Sequence, residues 1–385
     1  MDSFSGKIIY RLLSGGGPRT SSEIESLTGT SRVTVARRLG ALTDSGLIRE
    51  SGHAEPVGGR PARTFAIDPG YRNLIGIDIG ERMARICLFD LALGHLGDRL
   101  VPLDLTQPPD TTMKRLLAQA AALAESPAAT APVAAYGIGL PAPVDQKCGR
   151  VAAPSIMYGW ERFDLRDWLG ERLDIPVALD NDVNLMCQAE HRLHWPDCRN
   201  MVFIKAGTGI GCGIINDGRL VRGAGGASGD IGHIQHADPP HHLCRCGKLG
   251  CIEAHAGGWA VARDLTALGL KATDARDVME HYARGEPECR KAINRSSRII
   301  GTAAADLVAI LNPEVIVLGG RLATAGEAML AGIRERVYQR CLPLATEKLR
   351  IATARCDERL GAAGAAMLAM DAAISGDGWL SFAAP

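Results

Sequence analysis

Three cysteines and one histidine lie close together in the middle of the chain, and their types suit a metal ion. They are His233, Cys244, Cys246 and Cys251. Thiolates and an imidazole in a set of four are typical of a tetrahedral Zn²⁺ site, and a set with no open position is typical of a structural metal. Such a metal contributes on the order of 10 kcal/mol to the folding of its loop. We therefore predict a structural zinc in a loop at residues 233–251.

The glycines between the cysteines favour this metal site. Gly247 and Gly250 allow the tight turns that bring the thiols together. Spacing alone leaves two alternatives open. The stretch can be a surface loop with free thiols, or a different histidine can be the fourth ligand. The other histidines nearby are His236, His241, His242 and His255.

Two carboxylates stand at the ends of the metal loop. Asp230 precedes the histidine, and Glu253 follows the last cysteine. A metal that holds the loop rigid also holds these two side chains in place. Fixed carboxylates can accept charge-assisted hydrogen bonds from the hydroxyls of a polar ligand. The sequence thus predicts a ligand site beside the metal.

Two runs in this stretch resemble the signature of the ROK family: Gly-Asp-Ile-Gly-His at 229–233, and Cys-Arg-Cys-Gly-Lys-Leu-Gly-Cys-Ile-Glu at 244–253. That family groups sugar kinases with sugar-responsive transcriptional repressors, and it usually has Glu where this chain has Asp230. The resemblance extends over nearly the whole chain. It implies an α/β fold, with a winged helix-turn-helix domain at residues 1–70. A two-lobed actin-like or hexokinase-like ATPase (ribonuclease-H-like) body would follow at residues 71–385.

The resemblance also points to the loops that hold nucleotide phosphates in the family's kinases. The first is Asp78-Ile79-Gly80-Glu81-Arg82, where the kinases usually have Asp-x-Gly-Gly-Thr. An acid at this place repels phosphates, so we expect a kinase-like domain without activity. The second loop, Gly207-Thr208-Gly209, is intact, as is the turn Gly319-Gly320 that lies near the adenosine in the family. We expect all three to be vestigial nucleotide loops.

A sugar site is implied by the same resemblance. Asn181-Asp182 resembles the sugar-binding pair of the kinases, in which the Asp is the general base, so Asp182 would be catalytic only in a kinase. The expected ligand-binding residues are Asn181, Asp182, Asp230, His233 and Glu253. His233 would have two roles, with one ring nitrogen on zinc and the other toward the ligand. The alternative is that Asn181 and Asp182 only cap the following helix.

The first 70 residues carry the pattern of a helix-turn-helix. Apolar spacing predicts a helix at Lys7–Leu13, a second helix capped by Ser22 and a third capped by Ser31. The third helix has apolar positions at Val33, Val35, Leu39 and Leu42. The residues expected to contact DNA from this helix are Arg32, Thr34, Arg37 and Arg38.

Two predicted strands, Leu47–Glu50 and Arg63–Ile67, flank a basic glycine loop and would form a wing. Arg60 at its tip would enter a minor groove, and the Gly-Gly-Arg-Pro sequence resembles the wing of ROK repressors. The alternative is a small helical interaction module with solvated arginines. Residues 1–70 hold nine Lys or Arg against seven Asp or Glu, so one module should bind weakly. A homodimer or homotetramer that reads two half-sites is therefore expected.

Composition narrows the class of protein further. The 385 residues have a formal net charge of zero, so any DNA-binding surface must be local. The chain has no apolar run long enough to span a membrane and no secretion signal, and its cysteines number eleven. These features favour a cytoplasmic protein with reduced thiols.

We interpret the sequence as a transcriptional regulator, most simply a repressor, of carbohydrate metabolism that binds an operator and a sugar or sugar phosphate. Ligand binding would change the angle between the lobes and so the spacing of the DNA-binding modules. One alternative is a sugar kinase of glucokinase type with a DNA-binding appendage. Another is a regulator that responds to a protein partner and binds no small molecule.

Overall fold

The computed structural model describes residues 8–9, 12, 17–54, 61–145, 148–152, 156–355 and 358–374. The predicted first helix, Lys7–Leu13, falls largely outside these residues, and Arg60 of the predicted wing lies outside them. The described chain forms a small N-terminal module and two α/β lobes. None of its helices has the length and apolar character needed to cross a bilayer.

The N-terminal module packs two helices against a small antiparallel sheet. Its elements are β1 (Arg19–Thr20), α1 (Ser21–Thr28), α2 (Arg32–Asp44), β2 (Ile48–His53) and β3 (Arg63–Ile67). The strand order is β1-β3-β2, so the predicted hairpin of β2 and β3 is present. Gly29 adopts a left-handed conformation, with φ of 64°, and ends α1.

The N-cap of α1 is Thr20, so the prediction of Ser22 was wrong. The Thr20 hydroxyl accepts the N–H of Glu23, whose carboxylate accepts the N–H of Thr20 at 2.7 Å. This reciprocal pair is a capping box. Ser22 and Glu25 have the same spacing as Thr20 and Glu23, so the sequence alone allows either pair to form the cap. The pairing of Thr20 with Thr64 in the sheet places Thr20 directly before the helix and so favours Thr20 as the N-cap.

The first lobe is built on a five-stranded mixed sheet. Its elements are β4 (Asn73–Ile79), β5 (Met83–Asp90), β6 (His95–Pro102), α3 (Pro109–Ala124), β7 (Val133–Leu140), β8 (Val144–Asp145), β9 (Arg150–Val151), α4 (Leu165–Gly170) and β10 (Val177–Asn181). The strand order is β10-β7-β4-β5-β6, in which β4, β7 and β10 run parallel. The carboxyl ends of β4 and β10 therefore lie at one edge, with Asp78 and Asn181.

The second lobe repeats this plan. Its strands are β11 (Met201–Ala206), β12 (Ile210–Asn216), β13 (Arg219–Leu220), β14 (Val315–Gly319) and β15 (Arg350–Thr353), in the order β13-β12-β11-β14-β15. The remaining helices are α5 (Asp182–His194), α6 (Glu253–Ala256), α7 (Gly258–Ala267), α8 (Ala275–Ala283), α9 (Pro287–Leu311), α10 (Glu327–Arg340), α11 (Pro343–Thr346) and α12 (Leu360–Ile374). Of these, α5 and α12 pack together and link the lobes, since α12 contacts β4 and β7 while α5 contacts β12.

The N-terminal module is packed directly on the first lobe. One continuous apolar cluster includes Leu39 and Leu47 of the module, Leu74 and Phe89 of the first lobe, and Ala366 of α12. Burial of this shared surface fixes the module on the lobe. A movement of the first lobe therefore carries the helix-turn-helix with it. The domain boundary at residues 70 and 71 stays a prediction.

Candidate ligand cleft and metal cluster

A cleft of 720 Å³ lies between the two lobes. The expected ligand-binding residues and most residues of the nucleotide loops line it, namely Asp78, Gly80, Glu81, Asn181, Asp182, Gly207, Thr208, Gly209, Asp230, His233, Glu253, Gly319 and Gly320. The fold brings them together because the loops that follow β4, β10, β11 and β14 open into the cleft. Their roles toward a ligand stay predictions.

The four predicted metal ligands converge at the rim of this cleft. The ligand atoms of His233, Cys244, Cys246 and Cys251 lie within 4.8 Å of one another. The Cys246 and Cys251 sulfurs are 3.7 Å apart, and the Cys244 sulfur is 3.6 Å from Nδ1 of His233. With Zn–S bonds of about 2.3 Å and Zn–N bonds of about 2.1 Å, the edges of a tetrahedral site are about 3.6–3.8 Å long. The cluster could hold a metal ion of this kind.

The other histidines of the loop form a group of their own. The ring centres of His236 and His242 lie 5.3 and 5.1 Å from that of His255. Burial and the neighbouring imidazoles lower the pKa of His255 to about 4, so its ring is neutral at pH 7. Among the described residues none of these rings joins the group of four. The geometry therefore favours His233 as the fourth ligand.

Asp230 lies on the cleft side of the metal cluster. Its Oδ1 is 3.8 Å from Nε2 of His233, while Nδ1 of the same ring faces the thiol of Cys244. A metal-bound histidine usually has a carboxylate or carbonyl beside its second nitrogen, which fixes the ring orientation. Asp230 can do this here. Burial raises the pKa of its carboxyl, and the imidazole of His233 opposes that shift.

Asp182, the expected general base of a kinase, is held by a lysine. Its side chain is buried at the start of α5 and forms an ion pair with the Lys205 ammonium from β11. Burial lowers the pKa of Lys205, but the carboxylates of Asp182 and Asp78 outweigh it and the net shift is upward. The ammonium therefore stays charged. Sequence reasoning missed Lys205, whose only signal is a charge near the end of an apolar strand.

Asp78 is a half-buried acid near the end of β4 that also lines the cleft. Burial raises its pKa to about 6, against the attraction of Lys205. Gly361, in the first turn of α12, lies so close to the carboxylate that a Cβ there would overlap it. This crowding limits the access of water on the side of α12. The carboxylate is therefore destabilised in the folded state.

The Asp78→Asn variant should be more stable than the wild type at pH 7. Between pH 4 and pH 6 the folded protein keeps a proton on Asp78 that the unfolded chain releases, so stability falls as the pH rises through this window. At pH 7 the ionised acid costs about 3 kcal/mol, which the neutral amide avoids. Urea unfolding at pH 7.5 and pH 4.5 should show a gain that shrinks at the lower pH. Asp174→Asn, at an exposed position, is the control, and an equal gain in both variants would contradict the assignment.

Glu253 is engaged by three donors. Its Oε2 accepts the N–H of Ile210 at 3.0 Å, and its Oε1 accepts the indole N–H of Trp259 at 3.0 Å and a guanidinium N–H of Arg245 at 3.2 Å. Arg245 also donates to both oxygens of Glu81, at 2.9 and 2.8 Å. Glu81 thus has a cationic partner across the cleft. Arg245 was missed because it is 164 positions from Glu81 in the chain.

Asn181 caps α5. Its Oδ1 accepts the N–H groups of Val183 at 3.0 Å and Asn184 at 3.2 Å, and its amide donates to the carbonyl of Ala142 at 3.2 Å. Asn181 therefore has the role of helix N-cap that the sequence offered as an alternative. The side chain still lines the cleft, so a cap and a ligand contact are compatible.

The predicted DNA-reading helix, α2, exposes part of its predicted contact set. Arg32 and Arg37 are exposed, and Thr34 and Arg38 are half-buried. The hydroxyl of Thr34 lies 3.0 Å from that of Ser31. Arg32 and Arg37 are therefore the side chains freest to contact a phosphate or a base edge.

Val33 is the one of the four apolar positions of α2 that does not join the core. It is 79% exposed, whereas Val35, Leu39 and Leu42 are buried. Residues 35, 39 and 42 share one helical face, and Val33 is about 200° away from Val35 at 100° per residue. An exposed apolar group beside Arg32 and Arg37 suits contact with a thymine methyl.

The chain is similar to transcriptional regulators of one known family along most of its length. The ROK family matches residues 74–372, and a helix-turn-helix domain matches residues 9–51. The "Xylose repressor" of Caldicellulosiruptor bescii is 25% identical over 356 residues, which are 88% of each chain. The structure of a ROK family transcriptional regulator, described as a homolog of the E. coli MLC protein, aligns with a TM-score of 0.81 at 24% identity over 98% of each chain.

Kinases of the same family match the body alone. The structure of the ROK family glucokinase from Streptomyces griseus, in complex with glucose and AMPPNP, aligns with a TM-score of 0.67 at 28% identity. It covers 77% of this chain and 99% of its own. The fold class expected from the sequence is confirmed by these alignments.

Proposed function

The chain belongs to the ROK family, and from this we propose that it is a DNA-binding transcriptional repressor of carbohydrate metabolism. Its kinase-like body would bind a sugar or sugar phosphate in the interlobe cleft. The observation that carries the proposal is the union of two features in one chain. A helix-turn-helix with an exposed basic helix face is packed on a lobe that lines a polar cleft. Relatives that are regulators match along most of their length, including such a module.

Two ion pairs favour a body without kinase activity. The Lys205 ammonium forms an ion pair with Asp182 and so occupies this carboxylate. Glu81 stands in the first phosphate loop and is occupied by Arg245. A kinase would need both places for the sugar hydroxyl and the nucleotide phosphates. The glucokinase-like alternative is therefore the weaker one.

Zinc and assembly complete the proposal. Zn²⁺ would bind His233, Cys244, Cys246 and Cys251, whose spacing suits its bond lengths. It would stabilise the loop and supply no chemistry of its own. Two half-sites on operator DNA would be read by a homodimer or homotetramer in the cytoplasm, beside the chromosome.

Calorimetry on the full, zinc-loaded chain tests this function. The titrants are ATP·Mg²⁺ and a panel of hexoses, pentoses, amino sugars and their phosphates. Binding of one sugar without binding of ATP supports the proposal. ATP binding with sugar-dependent turnover contradicts it and favours the kinase. If no sugar or sugar phosphate binds, the result favours a regulator that responds to a protein partner.

Arg37→Ala should weaken operator binding about tenfold or more for each half-site, since one arginine contact to DNA is worth about 1–3 kcal/mol. Fluorescence anisotropy at fixed salt, on a DNA fragment found by footprinting, measures the loss. Arg162→Ala is the matched control, because Arg162 has a 91% exposed side chain in the body and the change in charge is the same. Equal affinities of the two variants would show that α2 does not read the operator.

A further inference from the structure

One arginine joins the two lobes through three elements. Arg245 stands in the metal loop of the second lobe, between Cys244 and Cys246. It reaches the turn between β4 and β5 of the first lobe, where it donates to both oxygens of Glu81, and it also contacts Glu253 at the start of α6. We call Glu81, Arg245 and Glu253 the interlobe triad.

We propose that the interlobe triad holds the cleft closed in the absence of ligand and that ligand binding is coupled to its release. The closure itself is independent of the proposed function, and only its link to a sugar effector rests on it. In the family's kinases the loop that holds Glu81 here would contact the nucleotide phosphates. In this chain Glu81 contacts Arg245 of the other lobe. Glu81, which stands in the family's phosphate loop, gains a structural role.

The geometry of the triad makes it stronger than a surface ion pair. One guanidinium nitrogen of Arg245, Nη1, donates to both oxygens of Glu81, and the other, Nη2, donates to Glu253. Hydrogen bonds between two charged groups are stronger than those between neutral groups. The Arg245 side chain is 25% exposed and Glu253 is 9% exposed, so water screens the charges only partly. The guanidinium also lies 5.0 Å from the ring centre of Trp259, which limits its movement.

A second contact spans the cleft beside the triad. Arg82, the next residue along the turn, donates to the hydroxyl of Thr273 at 3.2 Å and lies 3.6 Å from Asp274. Both partners precede α8 in the second lobe. The Arg82 side chain is half exposed, so we expect its contacts to stabilise the closed cleft less than the triad does. The two residues that depart from the kinase loop, Glu81 and Arg82, both join the lobes.

Glu253 links the triad to the ligand site. A sugar hydroxyl that donates to Oε1 of Glu253 competes with Arg245 for the same oxygen. The loss of that bond removes a partner that holds Arg245 in position within its own lobe. The contact of Arg245 with Glu81 is then less well positioned, which makes opening of the cleft easier. Because the helix-turn-helix is packed on the first lobe, opening turns the module relative to the second lobe. By linkage, an open cleft and a bound ligand then favour each other.

Hydrogen exchange on the full chain tests the closure without DNA and without sugar. Glu81→Gln should speed exchange about tenfold at the amides of residues 79–82 and 245–247, since one strong charged contact is lost. Glu327→Gln is the matched control, because its partner Arg334, at 2.7 Å, lies in the same lobe. Small-angle scattering should show a larger radius of gyration for Glu81→Gln only.

The double variant Glu81→Gln with Arg245→Gln separates the triad from independent effects. If the triad acts as one unit, the double variant should exchange no faster in residues 79–82 than Arg245→Gln alone. Additive effects would overturn the proposal, as would a Glu81→Gln protein that exchanges like the control. Because neither experiment involves an effector, failure here leaves the proposed function untouched, and failure of the calorimetry leaves the triad untouched.

Discussion

Replacement of Gly137 by alanine is expected to lower the free energy of unfolding by about 3 kcal/mol, at the upper end of the range for overpacked cores. Gly137 on β7 pairs with Gly76 on β4, so two glycines lie side by side in the first sheet. α12 crosses at this point. A Cβ on Gly137 would overlap the carbonyl of Ala365, and one on Gly76 would overlap that of Ala362.

The size of this effect follows from what lies opposite the glycines. The overlapped atoms are backbone, which has no rotamer to change, so α12 would have to shift as a unit. That shift would disturb its contacts with α5 and with the apolar cluster that carries the N-terminal module. The cost should therefore exceed that of a methyl placed against a flexible side chain.

Urea unfolding followed by circular dichroism measures the loss. Gly170→Ala is the control, because Gly170 ends α4 and has nothing within 4 Å of the position of an added Cβ. That variant should be as stable as the wild type or more stable by up to about 1 kcal/mol. If Gly137→Ala lost no more than the control, the close approach of helix and sheet would be wrong.

The parts of the fold that could be predicted from the sequence are those with local signals. Apolar strands that end in Asp or Gly, such as β4 and β14, are visible in the sequence because both faces of their sheets are covered. The cluster of His233, Cys244, Cys246 and Cys251 could also be predicted, since its four side chains fall in one short stretch of sequence. The expected ligand residues were predicted from family motifs, and the fold brings them to one cleft.

The parts that could not be predicted depend on partners far apart in the chain. Nothing near Arg245 indicates that Glu81 is its partner, and nothing near Lys205 indicates Asp182. From the sequence alone, Glu81 is expected only to repel phosphate. Ion pairs between lobes follow from tertiary packing, which no periodicity encodes. The exposure of Val33 could not be predicted either, because an apolar residue on a helix surface has the same sequence signal as a core residue.

The Cys251→Ser variant is expected to lose its bound metal and, with it, the ordered metal loop. Apolar packing contributes little to the loop, because Ile234, Leu243 and Leu249 are 54, 65 and 57% exposed. Its own apolar cluster is confined to Cys244, Cys251 and Ala254, with Cys246 and Trp259 packed against them. A structural zinc contributes on the order of 10 kcal/mol to such a loop, which is far more than this small cluster can supply.

Metal analysis and limited trypsin digestion measure the effect together. The wild type should carry one zinc per chain and resist cleavage, whereas Cys251→Ser should carry none and be cut after Arg245 and Lys248. Cys148→Ser, at an exposed position in the first lobe, is the control and should match the wild type. The sheets do not include the loop, so circular dichroism should change little. A wild type without zinc, or a variant that resists trypsin, would show that the thiols are not a metal site. Since Arg245 stands between two of the ligands, loss of the metal should also release Glu81 and speed exchange at residues 79–82, which connects the metal to the closure of the cleft.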